Sequence, residues 1–193
     1  MSISKILDDI RKTSGSEKEK GDKFEKLMLQ FFKKEPTYSA QFKNVWLWAN
    51  WPENKGLPDT GIDLVAENMD GLGFTAIQCK NYAPTTILDK SDIDSFFTES
   101  GKAPFTHRII VSTTNQWTVH AENSLKGQDK PVRRLGIDGL NNSMIDWDSL
   151  SLENLSKVKL IDGKKRRQHQ VEAITAVING FKKHERGKLL MAC

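Results

Sequence analysis

The chain has 193 residues, 37% hydrophobic and 28% charged, enough for one well-buried domain plus a small appendage of ordinary globular composition. No apolar run approaches the ~20 residues that cross a bilayer, and the first residues lack a secretory apolar stretch; two cysteines and four scattered histidines exclude a disulfide framework and a zinc-type ligand pattern, so a cytoplasmic protein is expected. The net charge of +4 is local: residues 161–193 carry eight Lys/Arg against three Asp/Glu, and the preceding 160 carry 21 against 22, so the body is not a basic nucleic-acid binder by charge alone.

In chain order, "SISKILDDIRK" spaces Ile3, Ile6, Leu7 and Ile10 at helical intervals, predicting an amphipathic helix. "SGSEKEKGD" breaks the pattern and is expected as an exposed connector. "DKFEKLMLQFFKK" resumes it with Phe24, Leu27, Met28 and Phe31, and must stop before Pro36. Glu25 rides on the border of that stripe. "FKNVWLWANW" suits a strand, with its tryptophans expected as packing residues, and "PENKGLPDTG" suits a loop. "IDLVAENMDGLGFTAIQCK" predicts a β-hairpin with a two-residue turn at Asp70-Gly71. "SDIDSFFTES" predicts a helix capped by Ser91 with Asp94 three residues on, "HRIIVSTT" an interior strand, and "QWTVHAENSLKG" a helix ending at Gly127. "RRLGIDGLN" offers a last strand, with Arg133 and Arg134 as phosphate-contact candidates. Strands paired first in a hairpin and then joined through helices give an α/β fold, a central mixed β-sheet flanked by helices. The tail begins with "KKRR", Lys164, Lys165, Arg166 and Arg167, a solvated linker or a phosphate contact, and continues as a helix before the strand-like "KLLMAC". A body over 1–160, with its core at about 20–140, and a separate 161–193 segment are expected.

The hairpin carries the chemistry. With a turn at Asp70-Gly71, paired residues sum to 141, so Val65 faces Ala76 and Asp63 faces Gln78. Lys80 lies two residues on, on the face of Gln78. A carboxylate and an amide oxygen are hard ligands suited to Mg²⁺, and a lysine beside them can hold a phosphate oxygen. No Ser-His-Asp spacing or activated cysteine offers a covalent nucleophile, so metal-assisted hydrolysis is the chemistry these residues permit. On the residues alone, an Asp63–Lys80 salt bridge at a sheet end is equally consistent.

"GIDLVAENMDGLGFTAIQCKNY" resembles the core of the PD-(D/E)xK nuclease superfamily, in particular its Mrr-like branch, and "GDKFEKLMLQFF" resembles that branch's glutamate-bearing first helix. The resemblance runs over about residues 20–115. It implies that Asp63 binds the metal, that Gln78 stands at the second acidic position, and that Lys80 is the catalytic lysine. It further implies the Cys79 backbone carbonyl as a ligand and Glu25 as an auxiliary acid. Gln78 departs from the usual Glu or Asp and removes one negative charge, which Glu25 would compensate. The literal Pro58-Asp59 lies four residues before Asp63, in a loop, and Asp63 is the preferred acid.

In the tail, "RQHQVEAI" and "GKLLMAC" resemble the entry to a superfamily 2 helicase, in which Gln170 would read an adenine; the GK[ST] phosphate loop is absent from the chain. Nuclease followed by helicase is similar to the single-polypeptide Type I restriction enzymes of bacteria. The resemblance implies a Mg²⁺-dependent DNA endonuclease that nicks double-stranded DNA and partners translocase, methyltransferase and target-recognition parts of the same polypeptide, with ATP needed only by the translocase and no membrane partner. A catalytically silent DNA-binding or coupling module on the same fold, and an RNA-directed nuclease, are the alternatives.

Overall fold

The computed structural model describes residues 2–58, 61–161, 168–184 and 186–188. Helix α1 (Ser4–Thr13) forms as its periodicity predicts, with Ile3, Ile6, Leu7 and Ile10 all buried. The expected connector after it is mostly helix: α2 runs Glu17–Lys34. Ser16 caps it by accepting from the Glu19 N–H, and Glu17–Lys20 and Glu19–Lys23 ion pairs offset the cost of Gly21 inside it. Its end at Lys34 follows from Pro36, which instead opens a short turn of helix, α3 (Pro36–Ser39).

Strands β1 (Phe42–Leu47), β2 (Leu64–Asn68) and β3 (Phe74–Lys80) pair antiparallel, and β4 (Phe105–Ser112) and β5 (Val132–Leu135) join parallel to give one mixed sheet in the order β1-β2-β3-β4-β5. The β1 run stops short of its second tryptophan, because Trp48–Asn50 turn into a 3₁₀ segment. Helix α4 (Asp94–Ser100) links β3 to β4, α5 (Val119–Ser124) links β4 to β5, and α6 (Ile137–Asn141) follows β5. The cap before α4 is not Ser91: Asp89 and Asp92 form a reciprocal capping box on a preceding 3₁₀ turn. Helix α5 is shorter than its apolar pattern and is capped by Thr118.

Two apolar layers sandwich the sheet. One holds α1, α2 and the outer segments against Leu64, Ala66, Ile77, Ile109 and Val111. The other packs Trp48, Trp51, Ile93, Phe96 and Ala121 on Val65, Ala76 and Ile110. The first centres on an aromatic cluster in which Phe31 stacks on Trp147 at 6.0 Å and meets Phe32 edge-on at 5.4 Å. The indole N–H of Trp147 donates to the Leu140 carbonyl at 2.9 Å, so its one polar atom is satisfied inside that layer.

The hairpin register is the predicted one: Val65 pairs Ala76 and Leu64 pairs Ile77. Its turn is a four-residue loop rather than two, closed by Asn68 N–H to Gly73 O, while the Met69 N–H goes to Gln41 O. A four-residue loop centred on Asp70-Gly71 keeps the same register as a two-residue turn there. Gly73 closes it at φ +90°, and a Cβ would stand 2.7 Å from the Pro104 carbonyl, so only glycine fits.

The chain divides into two compact units, Met1–Ile161 and Asp162–Cys193. The second contains α7 (Gln168–Phe181), whose Val171, Ile174 and Ile178 are exposed. No described helix is long and apolar enough to cross a membrane.

Phe31 is 1% exposed and touches three aromatic rings. Phe31→Ala is expected to cost about 3–5 kcal/mol in urea unfolding of the body. A loss below about 1 kcal/mol would show that this aromatic cluster is not a core of the domain.

Candidate active site

Asp63 sits just ahead of β2, where the chain leaves a turn at Gly61, whose φ is +88° and where a Cβ would meet the Ser95 hydroxyl at 2.6 Å. Ile62 tucks into the second apolar layer at 1% exposure, which leaves Asp63 at the strand entrance between β1 and β3. Its carbonyl accepts from the Trp48 N–H at 2.8 Å and its N–H donates to the Ile77 carbonyl at 3.0 Å. Its carboxylate Oδ2 accepts from the Cys79 N–H at 2.5 Å.

The backbone groups that Asp63 holds therefore flank Gln78. This differs from the expected pairing in detail: the regular ladder ends at Leu64–Ile77, and Asp63 is not a ladder partner of Gln78. The side chain takes the place of a backbone acceptor, so the carboxylate lies at the end of the sheet, beside the β3 backbone. Within β3 the groups of Lys80 face β4, since its carbonyl accepts from the Thr113 N–H at 3.1 Å. Strand alternation then turns the N–H and the carbonyl of Cys79 toward β2. The Cys79 carbonyl is thus directed to the side where the Asp63 carboxylate lies.

Gln78 is 2% exposed, and its Oε1 has no hydrogen-bond partner. An unpaired buried amide oxygen is costly, and this one belongs to the residue flanked by the two groups that Asp63 binds. Lys80, half-buried, follows on the same face, because Phe74, Ala76 and Tyr82 of that alternation all pack in the second layer.

Glu25 reaches the same region from α2. It lines a cavity of about 280 Å³ together with Asp22, Lys26, Leu47, Trp48, Ala49, Ile62 and Asp63. The Cys79 thiol registers the convergence: burial pushes its pKa well up, the negative charges of Asp63 and Glu25 push it further, and the Lys80 charge opposes them. Both carboxylates and the ammonium are therefore close enough to act on one atom. The donor set, two carboxylates, an orphaned amide oxygen and a strand-end carbonyl, is of hard oxygens, the type that holds Mg²⁺. Among the described residues no three His, Cys, Asp or Glu side chains cluster as a metal site by themselves. The set fits a cation only if Gln78 and backbone oxygen contribute.

Lys164, Lys165, Arg166 and Arg167, and Asp59, fall outside the described residues, as does the Gln170 side chain. Arg133 donates to Gln41 at 3.1 Å, and Arg134 lies over the Trp117 ring at 4.0 Å and pairs with Glu122. Neither is part of this cluster. Sequence reasoning overlooked Thr113, whose hydroxyl accepts from the Tyr82 N–H at 2.8 Å and donates to the Tyr82 carbonyl at 2.7 Å, pinning the chain just after Lys80 to β4. It also overlooked the Tyr82–Asp92 hydrogen bond of 2.8 Å. Nothing in the spacing of either pair announces it.

Residues 33–157 match the Mrr_cat_2 family, described as restriction endonuclease. No curated protein matches. Among solved structures the chain is similar to the ATP-dependent Type ISP restriction-modification enzyme LlaBIII bound to DNA, at 34% identity and a TM-score of 0.73 over the whole chain. The chain spans 12% of the length of that protein.

Cys79 tests the local electrostatics. In a Cys193→Ser background its alkylation by iodoacetamide at pH 8 is expected to run at least about tenfold slower than in the urea-unfolded chain, since burial and two nearby carboxylates disfavour the thiolate. Equal rates would mean that the thiol does not face the carboxylates.

Proposed function

The chain belongs to the Mrr_cat_2 restriction endonuclease family, and on that premise we propose that Asp63, Gln78 and Lys80, assisted by Glu25, form a Mg²⁺-dependent site that hydrolyses phosphodiester bonds of double-stranded DNA. The observation that carries this reading is the Asp63 carboxylate clasping the Cys79 N–H beside a buried, unpartnered Gln78 oxygen, with Lys80 two residues after Gln78 on the same strand. Asp63, Gln78 Oε1 and the Cys79 carbonyl would hold the cation, with Glu25 as the acid that restores the charge missing at position 78. A bound Mg²⁺ would supply Lewis-acid polarisation of the phosphate and lower the pKa of an attacking water. The chain's own part is positional and electrostatic. The Asp63 carboxylate is fixed by the strand it bonds, so it needs no reorganisation on loading. The Lys80 ammonium, half-buried, would meet a phosphate oxygen as negative charge develops there.

By analogy with the Type ISP enzyme it resembles, the domain would nick DNA as one part of a larger polypeptide that carries an ATP-driven translocase, a methyltransferase and target-recognition parts, in a bacterial cytoplasm. The neutral Gln78 favours one second reading, a catalytically silent DNA-binding module that kept the fold.

Supercoiled-plasmid nicking in Mg²⁺ separates the two. Asp63→Ala and Lys80→Ala are each expected to lose at least about 100-fold in rate, and equal nicking by all three proteins would defeat the assignment. Gln78→Glu restores a negative donor and is expected to lower the Mg²⁺ concentration for half-maximal nicking; an unchanged midpoint would remove Gln78 from the cation's surroundings. Cleavage of RNA in preference to DNA would redirect the substrate class.

A further inference from the structure

Strand β3 ends at Lys80, yet its bonding to β4 continues through a side chain. The last regular bond of the parallel ladder runs from the Thr113 N–H to the Lys80 carbonyl at 3.1 Å. The next would run from the Tyr82 N–H to the Thr113 carbonyl. The Tyr82 N–H goes instead to the Thr113 hydroxyl at 2.8 Å, and that hydroxyl gives its proton to the Tyr82 carbonyl at 2.7 Å. One buried hydroxyl thus satisfies both backbone groups of a residue beyond the strand.

Thr113 is itself held. The buried Ser112 hydroxyl donates to the Thr114 carbonyl at 2.9 Å and accepts from the Thr114 N–H at 3.2 Å, which fixes the peptide that follows Thr113. The Thr114 hydroxyl, also buried, donates to the Thr86 carbonyl at 2.8 Å. Three successive buried hydroxyls are therefore turned to backbone. Valine would suit burial at a strand end equally well, but it would leave the Tyr82 N–H and carbonyl without this partner. On the other edge of β3, the Asp63 carboxylate accepts from the Cys79 N–H. Side-chain oxygens thus replace ladder partners on both edges of the strand, at the residue before Lys80 and at the second residue after it. Lys80 stands between the two clasps. Its long stem carries the ammonium wherever the backbone aims the Cα–Cβ bond, so the direction of the strand end decides where the charge can reach.

We propose that Thr113 is the positioning residue of Lys80: its hydroxyl holds the end of β3 extended through Tyr82 and so keeps the lysine on the face of Gln78. The inference rests on the reading of Lys80 given above, as the group that meets the phosphate, and adds to it a residue that acts through the backbone alone. The two clasps divide the work. Asp63 fixes the side of the strand end where the cation would sit, and Thr113 fixes the direction of the ammonium. Removing the second therefore slows the reaction without loosening the metal, because a misplaced group costs rate through lost alignment.

The test is plasmid nicking by the full chain across a Mg²⁺ titration, at a temperature where thermal unfolding shows every variant folded. Thr113→Val is expected to nick at least about tenfold more slowly at saturating Mg²⁺, with its Mg²⁺ midpoint within about twofold of wild type. Thr113→Ser keeps the hydroxyl and is expected to recover most of the rate. A smaller loss in Thr113→Val overturns the inference, and so does a serine variant no faster than the valine one. A Mg²⁺ midpoint that shifts together with the rate also overturns it, since the hydroxyl would then support the whole strand end and not the lysine. If Thr113→Val does not fold, Thr113→Cys, whose thiol bonds only weakly, is read by the same criteria. Lys80→Ala separates the two levels of the argument. If it loses its activity while Thr113→Val matches wild type, only this inference fails. Should wild type and Lys80→Ala nick equally or not at all, the reading of Lys80 falls and this inference with it.

Discussion

The arrangement depends on one hydrogen bond, from the Cys79 N–H to the Asp63 carboxylate. At the end of a sheet the next backbone acceptor is missing, and a side chain that replaces it is fixed as firmly as the ladder itself. Asp63 is the replacement. Because its own N–H and carbonyl are also held, by Ile77 and Trp48, three bonds on one residue lock the carboxylate to β1 and β3 together. Everything else in the site is placed relative to that lock: Gln78 between the two β3 groups it holds, the Cys79 carbonyl turned to its side, and Glu25 brought by the helix that packs beneath.

The cost of this arrangement is spread over the fold. The strand entrance needs Gly61 at positive φ against Ser95, and the hairpin needs Gly73 against Pro104. The two apolar layers on either side give the sheet a stiffness that a pair of strands lacks. In return, the polar cluster at the sheet end tolerates unsatisfied amides that would be hard to keep in a less rigid frame. The donor set then differs from an all-acid one in charge rather than in geometry, since Gln78 offers an oxygen of the same reach as glutamate without the negative charge.

Much of this was legible in the sequence because the hairpin is self-specifying. Apolar alternation and Asp70-Gly71 fix the register from Glu67–Phe74 to Leu64–Ile77 even though the turn is longer than two residues, since lengthening it symmetrically leaves the centre unchanged, but they do not carry it on to Asp63 and Gln78. Helices α1 and α2 were legible from their periodic apolar stripes. Less legible was the first turn and a half of α2, where charged residues carry no periodicity and the Ser16 cap and ion pairs decide. The cap before α4 was misread because two frames spaced for a capping box overlap, Asp89 with Asp92 and Ser91 with Asp94, and spacing alone does not choose between them. The in-plane turn of the Asp63 side chain has no sequence signature, since it depends on where Ile62 is buried.

The hydroxyl of Thr113 clamps the peptide on both sides of Tyr82, one residue past Asn81. That clamp separates the strand from the segment that follows, so length changes between Tyr82 and Asp89 would be absorbed downstream of the clasp. Relatives could therefore vary that segment, and with it whatever touches the outside of the sheet, while the ammonium at position 80 keeps its address.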